Sequence, residues 1–103
     1  MSTSPLSVAQ TTVNQMGGTQ RLSLMIGARN FMADGNSLSF RFPNNGKIKA
    51  NYCKVTLNYS DLYDMEIGYI HGENYKIVET TENIYADGLV NSFESKTGLY
   101  LSL

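Results

Sequence analysis

The chain has 103 residues, of which 42% are hydrophobic and 17% are charged, and its formal net charge is −1 at pH 7. A chain of this length can bury one hydrophobic core, so we expect a single domain over residues 1–103, and the composition excludes intrinsic disorder of the whole chain. No run approaches the roughly 18 apolar residues of a membrane-spanning helix, and no basic segment followed by an apolar one suggests a signal peptide. We therefore expect a cytoplasmic protein with no membrane role.

The charges are divided unequally between the two halves of the chain. Residues 1–54 carry six basic side chains and one acidic side chain, a balance of +5, whereas residues 55–103 carry two basic and eight acidic side chains, a balance of −6. Such a division can create two surfaces of opposite potential. Pairing of strands from the two halves can also cancel the charges locally.

The N-terminal region predicts a short amphipathic helix. Residues 1–4 are expected to be disordered, with Ser4 as the N-cap and Pro5 at the first helical position. The apolar side chains that follow recur every three or four positions: Leu6, Ala9, Val13 and Met16. Gly17 and Gly18 then end the predicted helix.

Residues 19–27 admit two interpretations. Thr19 as an N-cap and Gly27 as a stop favour a second short helix. However, Leu22, Leu24 and Ile26 alternate, which is typical of a strand. The glycines on both sides of the segment lead us to expect the helix.

Five segments in the middle of the chain have the composition and alternation of strands: residues 30–33, 37–42, 51–59, 62–70 and 75–79. Turns are predicted at Asp34-Gly35, at residues 43–46, at Ser60-Asp61 and at residues 71–74. The hairpin of residues 51–70 is expected at the centre of the sheet. Its dry side is predicted to carry every second residue: Cys53, Val55, Leu57, Tyr59, Tyr63, Met65, Ile67 and Tyr69.

A last helix is predicted over residues 82–96, with Thr80 or Thr81 as its cap, Gly88 inside it and Gly98 as its stop. The leucines of residues 99–103 would then form a tail or a short edge strand. Helices at both ends and strands between them indicate an α+β domain, in which an antiparallel sheet of four to five strands has the helices packed on one face.

Few residues suit catalysis or metal binding. A metal site usually needs three or four ligands, and the chain has one cysteine, Cys53, and one histidine, His71. Cys53 is expected to face the core and His71 to lie in an exposed turn. Asp64 and Glu66 point to one side of the same strand, so a carboxylate pair is conceivable, but we favour a solvated outer face of the sheet. We therefore expect no enzyme, no metal and no cofactor.

A basic stretch is the first candidate binding surface. Between Arg41 and Lys54 the chain has no acidic residue, and aromatic and basic side chains on one sheet face are typical of single-stranded nucleic-acid binding. The candidate residues are Arg41, Lys47, Lys49, Tyr52 and Lys54.

An acidic surface is the second candidate. Acidic side chains of the second half of the chain could contact a basic protein partner by electrostatic complementarity, and the seven tyrosines favour an interface. The candidate residues are Asp64, Glu66, Glu73 and Glu79.

Three segments carry a resemblance: Met25-Ile26-Gly27-Ala28-Arg29-Asn30-Phe31, Lys49 to Asn58 followed by Asp61-Leu62-Tyr63-Asp64-Met65-Glu66, and Phe93 to Leu103. Together they resemble a group of small proteins encoded by tailed bacteriophages and prophages, over most of the chain from Met16 onward. The resemblance implies an accessory protein that acts in an infected bacterium by binding a host or phage macromolecule.

The sequence thus leads to a main functional hypothesis and an alternative. The main hypothesis is a non-enzymatic phage accessory protein in the cytoplasm that binds a host or phage protein, such as a defence or nucleic-acid-processing factor. The alternative is a single-stranded nucleic-acid-binding module. Pairing of edge strands between two copies, which would give a homo-oligomer, is left open.

Overall fold

The computed structural model describes residues 5–44 and 46–99, without the side chains of residues 5–9. The elements, in chain order, are α1 (Pro5–Gln15), α2 (Thr19–Ile26), β1 (Arg29–Asp34), β2 (Ser37–Arg41), β3 (Tyr52–Leu57), β4 (Tyr63–His71), β5 (Asn74–Ile84), a 3-10 turn (Ala86–Gly88) and α3 (Leu89–Thr97). None of the helices among these residues is long and apolar enough to cross a membrane.

The strands form one antiparallel sheet in the order β1-β2-β3-β4-β5, so each strand pairs with its neighbours in sequence. This confirms the predicted α+β class and gives the sheet five strands. The predicted hairpin of residues 51–70 becomes β3 and β4, and β3 is the central strand.

The helices pack on one face of the sheet, where the core lies. Alternate residues of the central strands, including Phe40, Cys53 and Met65, are buried there. The rings of Phe40 and Phe42 contact that of Phe93 from α3, with centroid distances of 6.0 and 5.5 Å. Alternation with period two therefore predicts the inner face of β2, β3 and β4 correctly.

The second helix confirms the helical interpretation of residues 19–27. It ends at Gly27, whose φ of 72° is the left-handed conformation typical of a helix C-cap. Thr19 is not its cap, because the N-cap is Gly18, which has no side chain to bond the first turn. The following hairpin turns at Gly35 and Asn36 instead of at Asp34-Gly35, because Asp34 still pairs with Ser37.

The predicted helix over residues 82–96 is wrong at its N-terminal end. Strand β5 continues to Ile84, so Glu82 lies on a strand and the helix begins only at Leu89. Gly88 precedes the helix, and a Cβ there would be in ordinary contact with Ile84, 3.5 Å away. Gly88 therefore lies outside the helix that was predicted to contain it, whereas Gly98 ends the helix as expected, with a φ of 75°.

Two smaller predictions concern the ends of elements. Tyr59, assigned to the dry side of β3, is fully exposed in the turn because the strand ends at Leu57. The expected disorder of residues 1–4, the Ser4 cap and the tail beyond Leu99 lie outside the described residues.

Candidate functional site

The side chains that alternate with the core residues form the other face of the sheet, which we call the open face. Strand register aligns them in rows across the sheet. One row contains Arg41, Tyr52 and Gly68, and the next contains Lys54 and Glu66. Residues directly opposite each other on antiparallel strands project to the same side, so basic, aromatic and acidic groups meet on this face.

Tyr75 of β5 lies across the middle of the open face. Its hydroxyl donates a hydrogen bond of 2.5 Å to Oε2 of Glu66, and its ring meets that of Tyr52 edge to face, with centroids 5.4 Å apart and an angle of 80°. Gly68 makes room for the ring, since a Cβ there would lie 2.3 Å from Cε1 of Tyr75. The two tyrosines and the glycine thus form an aromatic shelf, which is 44% exposed at Tyr75.

The hydrogen bond also changes the chemistry of the tyrosine. Partial burial raises the pKa of Tyr75 above its ordinary value, and the hydrogen bond to Glu66 and the negative charge of that carboxylate raise it further. The hydroxyl therefore stays protonated and continues to donate to Glu66 at alkaline pH, above about 10, where an ordinary tyrosine ionises.

The carboxylate of Asp64 is held by hydrogen bonds from two asparagines. Its Oδ1 accepts hydrogen bonds from Nδ2 of Asn58 and from the backbone N–H of Asn83, both at 3.0 Å. Asn83 has a φ of 56° at a bulge of β5. The carboxylate of Asp64 therefore ties the β3–β4 turn to this bulge, while it also lines an open groove of about 280 Å³ beside Lys54 and Glu66.

The structure separates the predicted basic residues into two groups. Arg41, Tyr52 and Lys54 lie together on the open face. Lys47 and Lys49 lie in the segment between β2 and β3, where the N–H of Lys47 bonds the carbonyl of Thr97 and the ammonium of Lys49 lies over the Tyr69 ring. Tyr69 is on the same side of β4 as the core residues, so these two lysines do not extend the open face.

The predicted acidic residues are also separated. Asp64 and Glu66 are on the open face, Glu73 is in the β4–β5 turn, and Glu79 pairs with Ile67 and so faces the helices. Oε1 of Glu79 lies 3.8 Å from the ammonium of Lys96 in α3. Only two of the four acidic residues therefore belong to one surface.

The charge division of the sequence reappears across the open face. Arg29, Arg41 and Lys54 lie on β1, β2 and β3, whereas the acidic groups that follow lie on β4 and β5: Asp64, Glu66 and Glu82. The Nε of Arg41 is buried and has no hydrogen-bond partner within the described residues. One half of the face is thus basic and the other half acidic.

Cys53 and His71 occupy different environments. Cys53 is completely buried, and burial, followed by the nearby charge of Glu66, raises the pKa of its thiol. His71 is exposed at the end of β4 and stacks on Tyr69. Within the described part of the chain, no three residues among histidines, cysteines and acids are placed to hold a metal ion.

Tyr75 and Gly68 are the main residues of the open face that the sequence did not identify. Their relationship depends on the register of β4 and β5, in which Tyr75 lies opposite Ile70 and reaches diagonally over Gly68. A glycine inside an alternating strand next to a tyrosine-containing strand was the available signal, because such a glycine marks close approach of another group.

Comparison with protein families, curated proteins and solved structures gives no match.

Proposed function

We propose that the chain is a non-enzymatic protein-binding domain whose open face contacts a protein partner. The observation that carries the proposal is the aromatic shelf of half-buried Tyr52 and exposed Tyr75, on a sheet face that the described helices do not cover. Tyrosine and arginine are enriched at protein interfaces because they combine apolar area with hydrogen bonding. In line with the resemblance to phage proteins, we propose that this activity belongs to the cytoplasm of an infected bacterium, with a host or phage protein as partner.

The partner should carry the opposite charge pattern. Its acidic groups would face Arg41 and Lys54, and its basic groups would face Asp64 and Glu66. Electrostatic complementarity of this kind sets the orientation of binding and excludes wrong partners.

The test is a capture experiment from bacterial lysate with three forms of the chain. Wild type should recover a specific protein, and Lys54→Glu combined with Tyr75→Ala should lose it, since both changes lie on the open face. Arg21→Glu on the exposed side of α2 is the matched control and should retain it. Recovery that is unchanged in the double variant, or lost equally in the control, would exclude the open face as the interface.

Binding of single-stranded nucleic acid is the second candidate function. It is favoured by the row in which Arg41 lies directly opposite Tyr52, beside Lys54, because bases stack on aromatic rings while basic groups hold the phosphates. The acidic half of the same face opposes it.

A fluorescence anisotropy titration with a single-stranded oligonucleotide distinguishes the two candidates. Nucleic-acid binding on the open face should weaken steeply with salt and with Lys54→Glu, and much less with Arg21→Glu, because Arg21 lies on the exposed side of α2. Absence of binding at low salt would eliminate this candidate and leave protein binding in place.

A further inference from the structure

The end of the β4–β5 hairpin carries a second cluster of aromatic and basic side chains, on the opposite side of the sheet from the open face. Tyr69 and His71 project from β4 on the side of the helices, and their rings stack at an interplanar angle of 9° with centroids 6.2 Å apart. The ammonium of Lys49 lies 4.8 Å from the centre of the Tyr69 ring. Lys76 of β5 is directly opposite Tyr69, so its side chain projects to the same side.

A surface depression of about 330 Å³ lies here, and its lining is basic and apolar: Lys49, Tyr69, Lys76, Ile77 and Val78. His71 does not line it, but its ring stacks on that of Tyr69. A bulge in β5 occurs at this point, because Ile67 pairs with Glu79 and the next residue, Gly68, pairs with Ile77. Bulges re-aim side chains and occur frequently beside binding sites. The bulge thus explains how adjacent residues of β5 reach one depression.

The two ammonium groups lack acidic partners. The only ion pair within the described residues joins Lys96 to Glu79, and neither Glu79 nor Glu73 lines the depression. The cation–π contact orients the ammonium of Lys49 without neutralising it. Two uncompensated positive charges beside an aromatic surface constitute a site for an anion that carries a planar group.

We propose that Lys49, Tyr69, His71 and Lys76 bind a mononucleotide. Lys49 and Lys76 hold its phosphate, since ammonium groups form charge-assisted hydrogen bonds with phosphate oxygens. The base stacks on the exposed ring of His71, which extends the aromatic surface of Tyr69. This site is independent of the proposed protein interface, because its residues lie on the other side of the sheet.

Isothermal titration calorimetry and amide chemical-shift mapping with adenosine monophosphate test the proposal. Wild type should bind with saturation, with shifts concentrated at residues 69–78 and around Lys49. Lys49→Gln and Lys76→Gln should each weaken binding about tenfold, the effect of losing one charge-assisted hydrogen bond. Arg21→Gln removes a positive charge from the exposed side of α2 and should leave the affinity unchanged, and circular dichroism verifies that each variant is folded.

Two further ligands distinguish the contribution of the phosphate to binding from that of the base. Inorganic phosphate should bind more weakly than the nucleotide and be insensitive to His71→Ala, whereas nucleotide binding should weaken in this variant. Adenosine, which lacks the phosphate, should bind more weakly than the nucleotide. Absence of nucleotide binding at millimolar concentration, an equal loss with Arg21→Gln, or equal affinity for adenosine would each overturn the assignment.

Discussion

Asn58 satisfies all the hydrogen-bonding capacity of its side-chain amide at the end of β3. Its Oδ1 accepts from the N–H groups of Ser60 and Leu62, and its Nδ2 donates to Asp64 and to Oδ1 of Asn83, both at 3.0 Å. One side chain therefore closes the β3–β4 turn and joins it to the bulge of β5. Networks with every member bonded fix one geometry, because each unpaired member would be costly.

We expect Asn58→Ala to lower the free energy of unfolding by about 2 kcal/mol, because it removes four hydrogen bonds and leaves partly buried partners unpaired. A urea denaturation series measures the change. Asn91→Ala is the matched control at an exposed position of α3, and it should be neutral or slightly stabilising, because alanine is the better helix former. Equal stability of both variants would show that the network contributes nothing.

Tyr75 provides a pH-dependent signal. Burial and then Glu66 raise its pKa, so above pH about 10, the ordinary value, the unfolded chain loses this proton while the folded chain keeps it. The stabilisation is complete below that pH and is lost as the pH rises through the folded pKa. In an alkaline titration of the folded protein followed by tyrosinate absorbance, Tyr75 should be the last tyrosine to ionise. We expect this last rise in absorbance to disappear in Tyr75→Phe.

The control for that titration is Tyr85→Phe, at a tyrosine that is 70% exposed, which should leave the last step in place. The free energy of unfolding of wild type should also fall with rising alkaline pH more steeply than that of Tyr75→Phe. A last step that persists in Tyr75→Phe would assign it to another residue and disprove the raised pKa of Tyr75.

The sequence predicted which residues of the open face project together when they lie on one strand, but it did not predict contacts between strands. Asp64 and Glu66 were correctly placed on one side of β4, because alternation is a local property. The hydrogen bond between Tyr75 and Glu66 joins β5 to β4 diagonally, and the register that permits it follows a bulge. Register shifts of this kind leave no periodic signal in the sequence.

At the scale of elements, the segment after β2 docks on the C-terminus of α3. The N–H of Lys47 donates a 2.7 Å hydrogen bond to the carbonyl of Thr97, and a Cβ added to Gly46 would lie 2.1 Å from that same oxygen. The hydroxyl of Thr97 in turn bonds the carbonyl of Phe93 and accepts from Leu99. Close approach of two backbones thus requires glycine at this position.

We expect Gly46→Ala to destabilise the protein by about 2 kcal/mol, because the added methyl group collides with a backbone carbonyl that cannot rotate away. Gly88→Ala is the matched control, since its added Cβ would meet only Ile84 at 3.5 Å, and it should change stability by less than about 1 kcal/mol. Thermal unfolding monitored by circular dichroism compares them. A Gly46→Ala variant as stable as Gly88→Ala would refute the close approach.

The boundary between β5 and α3 shows why the last helix was predicted too early. Leu89 and Phe93 are buried at helical spacing, as expected, but Tyr85, which continues the same spacing, is exposed. The strand before it contains two bulges, one between the partners of Gly68 and Ile67 and one between the partners of Met65 and Tyr63. Each bulge shifts the alternation by one residue. The bulges therefore interrupt the strand-like alternation of β5 in the sequence. The apolar residues at helical spacing continue by coincidence to Tyr85, before the helix begins.

At the scale of the whole molecule, the sheet order translates the charge division of the sequence into space. Consecutive strands are neighbours, so the basic first half of the chain supplies one side of the open face and the acidic second half supplies the other. A sheet with crossovers would have mixed them. The two interpretations of the charge asymmetry both hold in part, because Lys54 and Glu66 face each other where the halves meet.

Both edge strands of the sheet are interrupted by an irregularity, which affects whether two copies of the chain can pair edge to edge. Strand β1 is irregular between Arg29 and Met32, and strand β5 is irregular opposite Tyr63 and Met65. Each irregularity contains an asparagine with a φ of 56°, Asn30 and Asn83. Bulges twist an edge strand away from a straight partner, and proteins use them to prevent pairing between sheet edges.

We therefore expect the chain to sediment as a monomer of 11.4 kDa over a wide concentration range, because neither edge offers an uninterrupted row of backbone groups. Analytical ultracentrifugation measures the mass. Asn30→Val is the informative variant, since a β-branched residue disfavours the positive φ of the bulge and a straightened β1 would favour pairing between copies. A wild-type dimer that persists on dilution would show that the bulges do not protect these edges.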